Sequence, residues 1–202
     1  MTLVELMVSM AVFSLISIGL IYTHLFCLHQ DQLVNSKLGA SDQSRKSFTL
    51  LTRDIRSAKV WDIGNADASG GSFTAVADGA NQVGNALWIS YTATTNYNQG
   101  ILYYFDTSNM ANDGGKLNRR DLVSGNTVRI ATDLTNSTAN SMVFRAEDYR
   151  GTTQTDRTHK SVIRVVLEFA QYQYPLTKVG PGYLYDYYKT EFKLTSHVPD
   201  GP

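Results

Sequence analysis

Length, composition and charge set the first limits on this 202-residue chain. Its 18 basic side chains balance its 18 acidic ones, and this zero net charge argues against a nucleic-acid partner or a polybasic membrane clamp. Cys27 is the single cysteine, which excludes an intrachain disulfide or a cysteine-based metal site.

The N-terminal segment is apolar enough to cross a bilayer. Between Leu6 and Leu28 there is no Asp, Glu, Lys or Arg, and the interruptions are weakly polar. At ~1.5 Å per residue, this run spans the roughly 30 Å hydrocarbon core as one helix. A cleaved signal peptide would have a basic flank before a shorter core, whereas the flank here is acidic.

The acidic flank is Glu5, and its position needs an explanation. An unpaired carboxylate in hydrocarbon costs at least several kcal/mol, so a cationic partner is expected. The alternative is that Glu5 lies at the level of the lipid headgroups and is hydrated there.

The helical pattern continues beyond the apolar run. From Gln30 to Trp61 there is no proline, and Gly39 is the only strong helix breaker. We predict a single helix of about 55 to 60 residues, whose second half packs one face on a domain. The polar stretch 39–47 is where a bend or fraying is expected. The apolar stripe of the second half comprises Phe48, Leu51, Ile55 and Ala58.

After Trp61 the hydrophobic pattern alternates, which predicts strands separated by Gly, Asn and Asp clusters. The clearest predicted strand is Ser161 to Tyr172, with Ile163, Val165, Leu167 and Phe169 on one face. The last predicted strand runs from Tyr183 to Val198, and its inward-facing residues would be Tyr188, Phe192, Leu194 and Val198. The other predicted strands fall at 87–92, 101–105, 128–130 and 142–146.

These elements predict an α+β fold, in which a long N-terminal helix with a membrane-embedded first half carries an antiparallel sheet on its second half. About six to eight mostly antiparallel strands are expected, with one face of the sheet packed on the helix stripe. We divide the chain into an apolar helix at 1–29, an amphipathic continuation at 30–61 and a β-rich head domain at 62–202.

The stretch MTLVELMVSMAVFSLI resembles the N-terminus of type IV pilins and of the pseudopilins of type II secretion. In that family a prepilin peptidase cuts after the Gly of a short basic leader and methylates the new N-terminus. The resemblance therefore implies that Met1 is the mature, methylated terminus. The family usually has Phe at this position, so Met1 is a departure from the pattern.

The resemblance also implies roles for the next residues. Thr2, Leu3, Glu5 and Leu6 match the family register, in which subunits stack as parallel helices and the acid meets the N-terminal amine of a neighbouring subunit. Two opposite charges attract each other far more strongly in lipid than in water, which agrees with that pairing. The implied partners are other pilin or pseudopilin subunits, the prepilin peptidase, an inner-membrane assembly platform and a motor ATPase.

Later segments resemble particular branches of the family. RKSFTLLTRDIRSAK, ILYYF followed by KLNRR, and KTEFKLTSHV resemble the J-type minor pseudopilins and the W-type minor pilins. The implied function is a minor subunit in the tip or initiation complex of a pilus or pseudopilus, with its head in the periplasm before assembly. A major pilin, a signal-anchored receptor or adhesion domain, and a membrane-bound hydrolase are the alternatives.

No motif points to enzymatic chemistry. HExxH, CxxC, GxSxG and P-loop patterns are absent from the sequence, so we expect a non-enzymatic protein without a cofactor. One loop has oxygen donors that suit Ca²⁺, but it lacks the EF-hand spacing, which favours a plain turn over a calcium site. Its donors are Asp106, Asn109, Asn112 and Asp113.

Tyrosines cluster near the C-terminus. Tyr183, Tyr185 and Tyr187 are predicted on one strand face, with Tyr172 and Tyr174 before them. Cross-strand aromatic pairing within the sheet is favoured over an exposed face that binds a partner.

Overall fold

The computed structural model describes residues 2–93, 95–108, 114–136, 143–158, 162–172 and 184–195. It has a single long helix, α1, at Leu3–Ser57, which is 55 residues long and uninterrupted at Gly39. The prediction of one continuous helix is confirmed, and the stretch 39–47 is helical throughout.

The helix ends four residues before the predicted limit at Trp61. Ala58 has extended backbone angles (φ −67°, ψ 139°), and its N–H donates to the Ile55 carbonyl. The Lys59 N–H then donates to the Ser90 carbonyl at 2.8 Å. Trp61 therefore lies in a strand, because β-branched and aromatic residues at this point pair with a neighbouring strand instead of extending the helix.

The rest of the described chain forms ten strands, which pair antiparallel throughout. This is more than the predicted six to eight, because several strands are too short for an alternating pattern to be visible. The strands are β1 Val60–Ala66, β2 Phe73–Ala75, β3 Val83–Gly84, β4 Ala86–Ser90, β5 Ile101–Asp106, β6 Gly115–Asp121, β7 Thr127–Leu134, β8 Phe144–Glu147, β9 Val162–Tyr172 and β10 Leu184–Thr195.

The strand order is β2-β1-β4-β5-β6-β7-β9-β8-β3, and β10 pairs with the other edge of β9. Strands β7 and β8 follow one another along the same edge of β9, because Leu134 pairs with Phe169 and Phe144 pairs with Val165. The sheet curls so far that β3 returns to β1. A Cβ atom added to Gly84 would lie 2.0 Å from the Gly64 carbonyl oxygen.

The main core lies between the helix and the concave face of the sheet. Leu51 and Ile55 are fully buried, as predicted, but Phe48 remains 43% exposed. The buried face of the helix is rotated away from Phe48, and Ser47 and Asp54 lie on it instead. The predicted face of β9 is confirmed, since Ile163, Val165, Leu167 and Phe169 are all buried in this core.

A second, smaller core covers the opposite face of β4 and β5. It is formed by Ala86, Trp88, Leu102 and Tyr104, with Phe73 and Tyr97 packed against them. The Trp88 and Tyr97 rings meet edge to face, with centroids 4.8 Å apart. The prediction of a sheet packed on one face was therefore incomplete, because these two strands are buried on both faces.

Strand β10 extends the sheet beyond β9 with a regular register over most of its length. Its predicted inward positions Tyr188, Phe192 and Leu194 pair with Phe169, Val165 and Ile163. The register shifts between Asp186 and Tyr188, which interrupts the alternation predicted for Tyr185 and Tyr187. Met142, Tyr174, Tyr183 and Val198 lie outside the described residues.

We expect Gly84→Ala to destabilise the head domain by about 2 kcal/mol or more, because its methyl group would meet the rigid Gly64 backbone. Thermal unfolding of the full chain in detergent, followed by near-ultraviolet circular dichroism, would measure the loss. Gly39→Ala is the matched control, since a Cβ there has nothing within 4 Å. In a helix interior that control should be neutral or stabilise by up to about 1 kcal/mol. Equal melting temperatures for both variants would contradict this account of the β1–β3 contact.

Candidate functional site

The N-terminal half of α1 extends away from the head domain. Leu3–Leu28 is long and apolar enough to cross a membrane, with a mean hydropathy of 2.2, and none of it is buried. A core helix of a soluble domain would be mostly buried, so this half needs an apolar environment from outside the described chain. A membrane anchor and a signal sequence both fit this length and composition.

The predicted assembly residues lie at the start of this helix. Leu3 and Leu6 are exposed, at 77% and 50% respectively. Thr2 is the N-cap residue and Glu5 lies in the first turn, while Met1 lies outside the described residues.

Thr2 and Glu5 form a reciprocal capping box. The Thr2 backbone N–H donates to Glu5 Oε2 at 2.7 Å, and the Glu5 N–H donates to Thr2 Oγ1 at 3.4 Å. This pairing satisfies two of the amides that a helix start leaves without partners. Sequence reasoning missed it, although the Thr-x-x-Glu spacing is the usual indication of such a box.

The capping box orients the Glu5 carboxylate without using all of its acceptor capacity. An ionised carboxylate offers about four lone-pair sites, and the box uses one of them. The helix dipole also favours a negative charge in the first turn. Glu5 is therefore held at the helix start and exposed, with capacity for a further donor.

Hydroxyl groups along the free half of the helix bond to the helix itself. Ser9 Oγ donates to the Glu5 carbonyl at 2.8 Å, Ser14 Oγ to Met10 at 2.8 Å, and Thr23 Oγ1 to Gly19 at 2.9 Å. Such bonds back along the helix allow these hydroxyls to be placed in lipid or against another helix at little cost.

A buried charged cluster fixes the other half of the helix to the head. The Asp54 carboxylate, 1% exposed, accepts from Tyr103 Oη at 2.7 Å and from Arg119 Nε at 2.8 Å, both through Oδ2. Arg53 Nε donates to Oδ1 at 3.1 Å. This cluster, Asp54–Tyr103–Arg119, joins α1 to strands β5 and β6.

The electrostatics of the cluster follow from its burial. Burial by itself raises the pKa of Asp54, but hydrogen bonds from Tyr103 and Arg119 outweigh it and hold the pKa below its ordinary value of 3.8. Burial and the Asp54 charge raise the pKa of the Tyr103 hydroxyl, which therefore remains a donor. The Asp54 carboxyl group thus favours its ionised form and the Tyr103 hydroxyl its protonated form, as the hydrogen bond between them requires.

A second contact joins the helix to β7 about three turns before Asp54. The Thr132 N–H donates to Gln43 Oε1 at 2.9 Å, and Gln43 Nε2 donates to Thr132 Oγ1 at 3.1 Å. With the Asp54 cluster, it fixes the direction in which the free half of α1 leaves the head domain.

A further charged contact lies within the head domain and has a structural role. Arg157 Nη2 and Tyr97 Oη both donate to Asp62 Oδ2 at 2.8 Å, which ties two loops to β1. Within the described ranges there is no group of three or more His, Cys, Asp or Glu side chains that could hold a metal ion. Of the proposed calcium donors, Asp106 accepts from the Ser108 N–H at 2.8 Å, whereas Asn109, Asn112 and Asp113 lie outside the described residues.

No protein-family model, curated protein sequence or solved structure matches this chain. The function has therefore to be inferred from the N-terminal motif, the exposed helix and the way in which the head holds that helix.

We expect Asp54→Ala to destabilise the head by about 3 kcal/mol, because Arg119 and Tyr103 would lose their buried acceptor. The folded-state pKa of Asp54 is lowered, so its contribution is fully present above about pH 4 and is lost as the pH falls through that lowered value. Melting temperatures of the full chain in detergent from pH 3 to pH 7 would measure both effects.

Asp42→Ala is the matched control for this prediction, since Asp42 lies on the exposed side of the same helix. It should change stability by less than about 0.5 kcal/mol. If Asp54→Ala melted like Asp42→Ala at neutral pH, the cluster would not be what fixes the helix to the sheet.

Proposed function

We propose that the chain is a non-enzymatic structural subunit of a type IV pilus-like filament. One observation supports this most. A single unbroken helix begins with a capping box that includes Glu5, and its apolar first half is completely exposed. Its second half carries an antiparallel sheet domain. This is the arrangement expected of the pilin fold that the N-terminal motif predicts.

The exposed apolar half requires two successive environments in such a subunit. Each fully exposed Leu, Ile, Val or Phe side chain costs about 1.5–3 kcal/mol in water, so the segment has to lie in lipid or against other helices. Exchanging lipid contacts for protein contacts is nearly neutral for apolar groups. The helix can then move from the inner membrane into the core of a filament, driven by an external motor ATPase.

Glu5 would provide the register between neighbouring subunits. Its carboxylate is fixed at the helix start and has acceptor capacity beyond the capping box. We propose that the N-terminal amine of a neighbouring subunit donates to it, which would neutralise two charges that are costly in lipid. Leu3 and Leu6 beside it would pack between subunits.

In this proposal Met1 is the terminus released by the prepilin peptidase, and the head is periplasmic while the helix is in the inner membrane. The later resemblances favour a minor pilin or minor pseudopilin of a tip complex over a major pilin. The abundance of the chain in sheared filaments would separate these two, because a major pilin dominates them.

A signal-anchored receptor or adhesion domain is the second candidate, because the same exposed helix would serve as its anchor. In that protein the Glu5 carboxylate would only cap the helix. The two candidates therefore differ in whether the charge of Glu5 is needed or only its ability to accept a hydrogen bond.

We expect Glu5→Gln to abolish or reduce incorporation into filaments at least about tenfold, although Gln can still close a capping box. Loss of the charge removes the attraction to a neighbouring amine, while the helix start remains capped. Recovery of the variant in sheared filaments, relative to its level in membranes, would be the measurement. Glu5→Ala and Glu5→Val should fail in the same way with the head domain folded, as judged by circular dichroism.

Thr2→Ala is the control, because it removes the Thr2 hydroxyl from the capping box and keeps the Glu5 charge. It should incorporate far better than Glu5→Gln. Normal incorporation of Glu5→Gln together with a defect in Thr2→Ala would reduce Glu5 to a helix cap and favour the anchored domain.

A further inference from the structure

Two pairs of charged side chains lie on the part of α1 that follows the candidate membrane span. Asp31 and Asp42 are exposed, and they are eleven residues apart. Arg45 and Arg56 are exposed as well, with the same separation. Because eleven residues make about three helical turns, the members of each pair lie above one another on one side of the helix. We call the two aspartates the acidic stripe and the two arginines the basic stripe.

Both stripes lie on the side of α1 that faces away from the head domain. Leu51 is fully buried against the head and marks the covered side of the helix. At about 100° per residue, all four charged positions lie within roughly 60° of the direction opposite Leu51. A contact through these stripes would therefore place two helices side by side and leave both heads on the outside.

The two stripes match each other at a single displacement along the helix. Arg45 follows Asp31 by fourteen residues, and Arg56 follows Asp42 by the same number. If a second copy lies parallel to the first and is displaced by fourteen residues, or about 21 Å, each aspartate is opposite an arginine. No other displacement places both aspartates opposite basic residues of α1.

The same displacement also matches exposed apolar side chains. Val34, 50% exposed, would be opposite Phe48, which is 43% exposed. Leu38, 62% exposed, would be opposite Thr52. Phe48 and Thr52 belong to one groove along the helix, of about 550 Å³. The groove is lined by Phe48, Thr49, Thr52, Arg53, Arg56 and Ser57. Fourteen residues are two heptads, the repeat at which parallel helices keep the same side in contact, so charged and apolar groups of two copies are complementary together.

We infer that α1 binds a second, parallel copy of this chain at a displacement of about 21 Å, with the acidic stripe of one copy paired to the basic stripe of the other. This inference rests on the proposed function, because a shared orientation in the membrane is what makes the two helices parallel. It requires at least two adjacent copies in the filament or its tip complex. At this displacement Glu5 would be opposite Gly19, so the amine that pairs with Glu5 belongs to another neighbour.

The ion pairs would set the register more than the affinity. At zero displacement, and at a displacement of eleven residues, aspartate would be opposite aspartate and arginine opposite arginine, and such like-charge contacts are unfavourable. The Asp31 carboxylate accepts from Asn35 Nδ2 at 3.2 Å. An ionised carboxylate has about four acceptor sites, so Asp31 can accept from an arginine as well.

Two copies at rest in one bilayer could not make this contact. Their apolar segments at Leu3–Leu28 would span the same roughly 30 Å of hydrocarbon, which keeps the copies at zero displacement. The stripes match only after one copy has moved about 21 Å toward its head. The contact is thus specific to assembly, and the moved copy offers its acidic stripe to the basic stripe of a copy still in the membrane.

The test is disulfide cross-linking between two differently tagged copies of the full chain, both in a Cys27→Ser background. One copy carries Val34→Cys and the other Phe48→Cys. Sheared filaments are oxidised, and so are membranes from cells that lack the motor ATPase. We expect at least about tenfold more dimer in filaments from this mixture than from either substitution alone, because contacts of 34 with 34 or 48 with 48 require zero displacement. Membranes without the motor should give no 34–48 dimer.

Charge reversal tests the two ion pairs. Asp31→Arg with Asp42→Arg should lower the yield of 34–48 dimer per membrane-inserted chain at least about fivefold, because arginine would be opposite arginine. Arg45→Asp with Arg56→Asp should lower it equally, although the net charge changes in the other direction. All four substitutions in one chain invert both pairs and should restore the yield to within about twofold. Circular dichroism would check that each head domain is folded.

The presence of the chain in filaments separates failure of this inference from failure of the proposed function. If the chain enters filaments and needs the Glu5 charge, but 34–48 dimer does not exceed the single-cysteine controls, the inference is overturned and the filament proposal stands. Equal 34–48 dimer in membranes without the motor, or no recovery with all four charges reversed, would overturn the inference too. If the chain never enters filaments, both are overturned.

Discussion

The apolar half of α1 is the constraint on which the rest of this protein depends. Between Leu3 and Leu28 the helix has almost continuous apolar surface, and the described head domain covers none of it. Water is an unfavourable solvent for this surface, so lipid or other helices have to surround it. The head must therefore hold the helix firmly by its second half alone, while leaving the first half free.

That hold combines apolar packing with polar contacts that fix direction. Leu51 and Ile55 supply apolar burial, which is non-directional and would tolerate rotation of the helix about its axis. Asp54 and Gln43 add hydrogen bonds to particular atoms of β6 and β7. Because hydrogen bonds depend on distance and angle, these contacts tolerate much less rotation of the helix. A rigid connection of this kind transmits a force on the head to the apolar half of the helix.

Much of this arrangement could be predicted from local patterns. An apolar run without breakers predicts a helix because every backbone group is satisfied within it. The alternation at 163–169 likewise predicts one buried strand face, which the structure confirms. Short strands such as β3 escaped prediction because two residues carry no periodicity. The apolar character of Phe48 predicts a core position, but the helix buries the adjacent stripe with Ser47 and Asp54 instead.

The sequence by itself determined the long helix, its apolar first half, the acid at position 5 and the antiparallel character of the head, because each depends on neighbours in the chain. Only the tertiary structure decided which charged groups are buried and where each turn lies. The partners of Asp54 are Tyr103 and Arg119, far away in sequence, and they meet it only when the sheet closes on the helix. Such pairs depend on the path of the whole chain, which no local pattern contains.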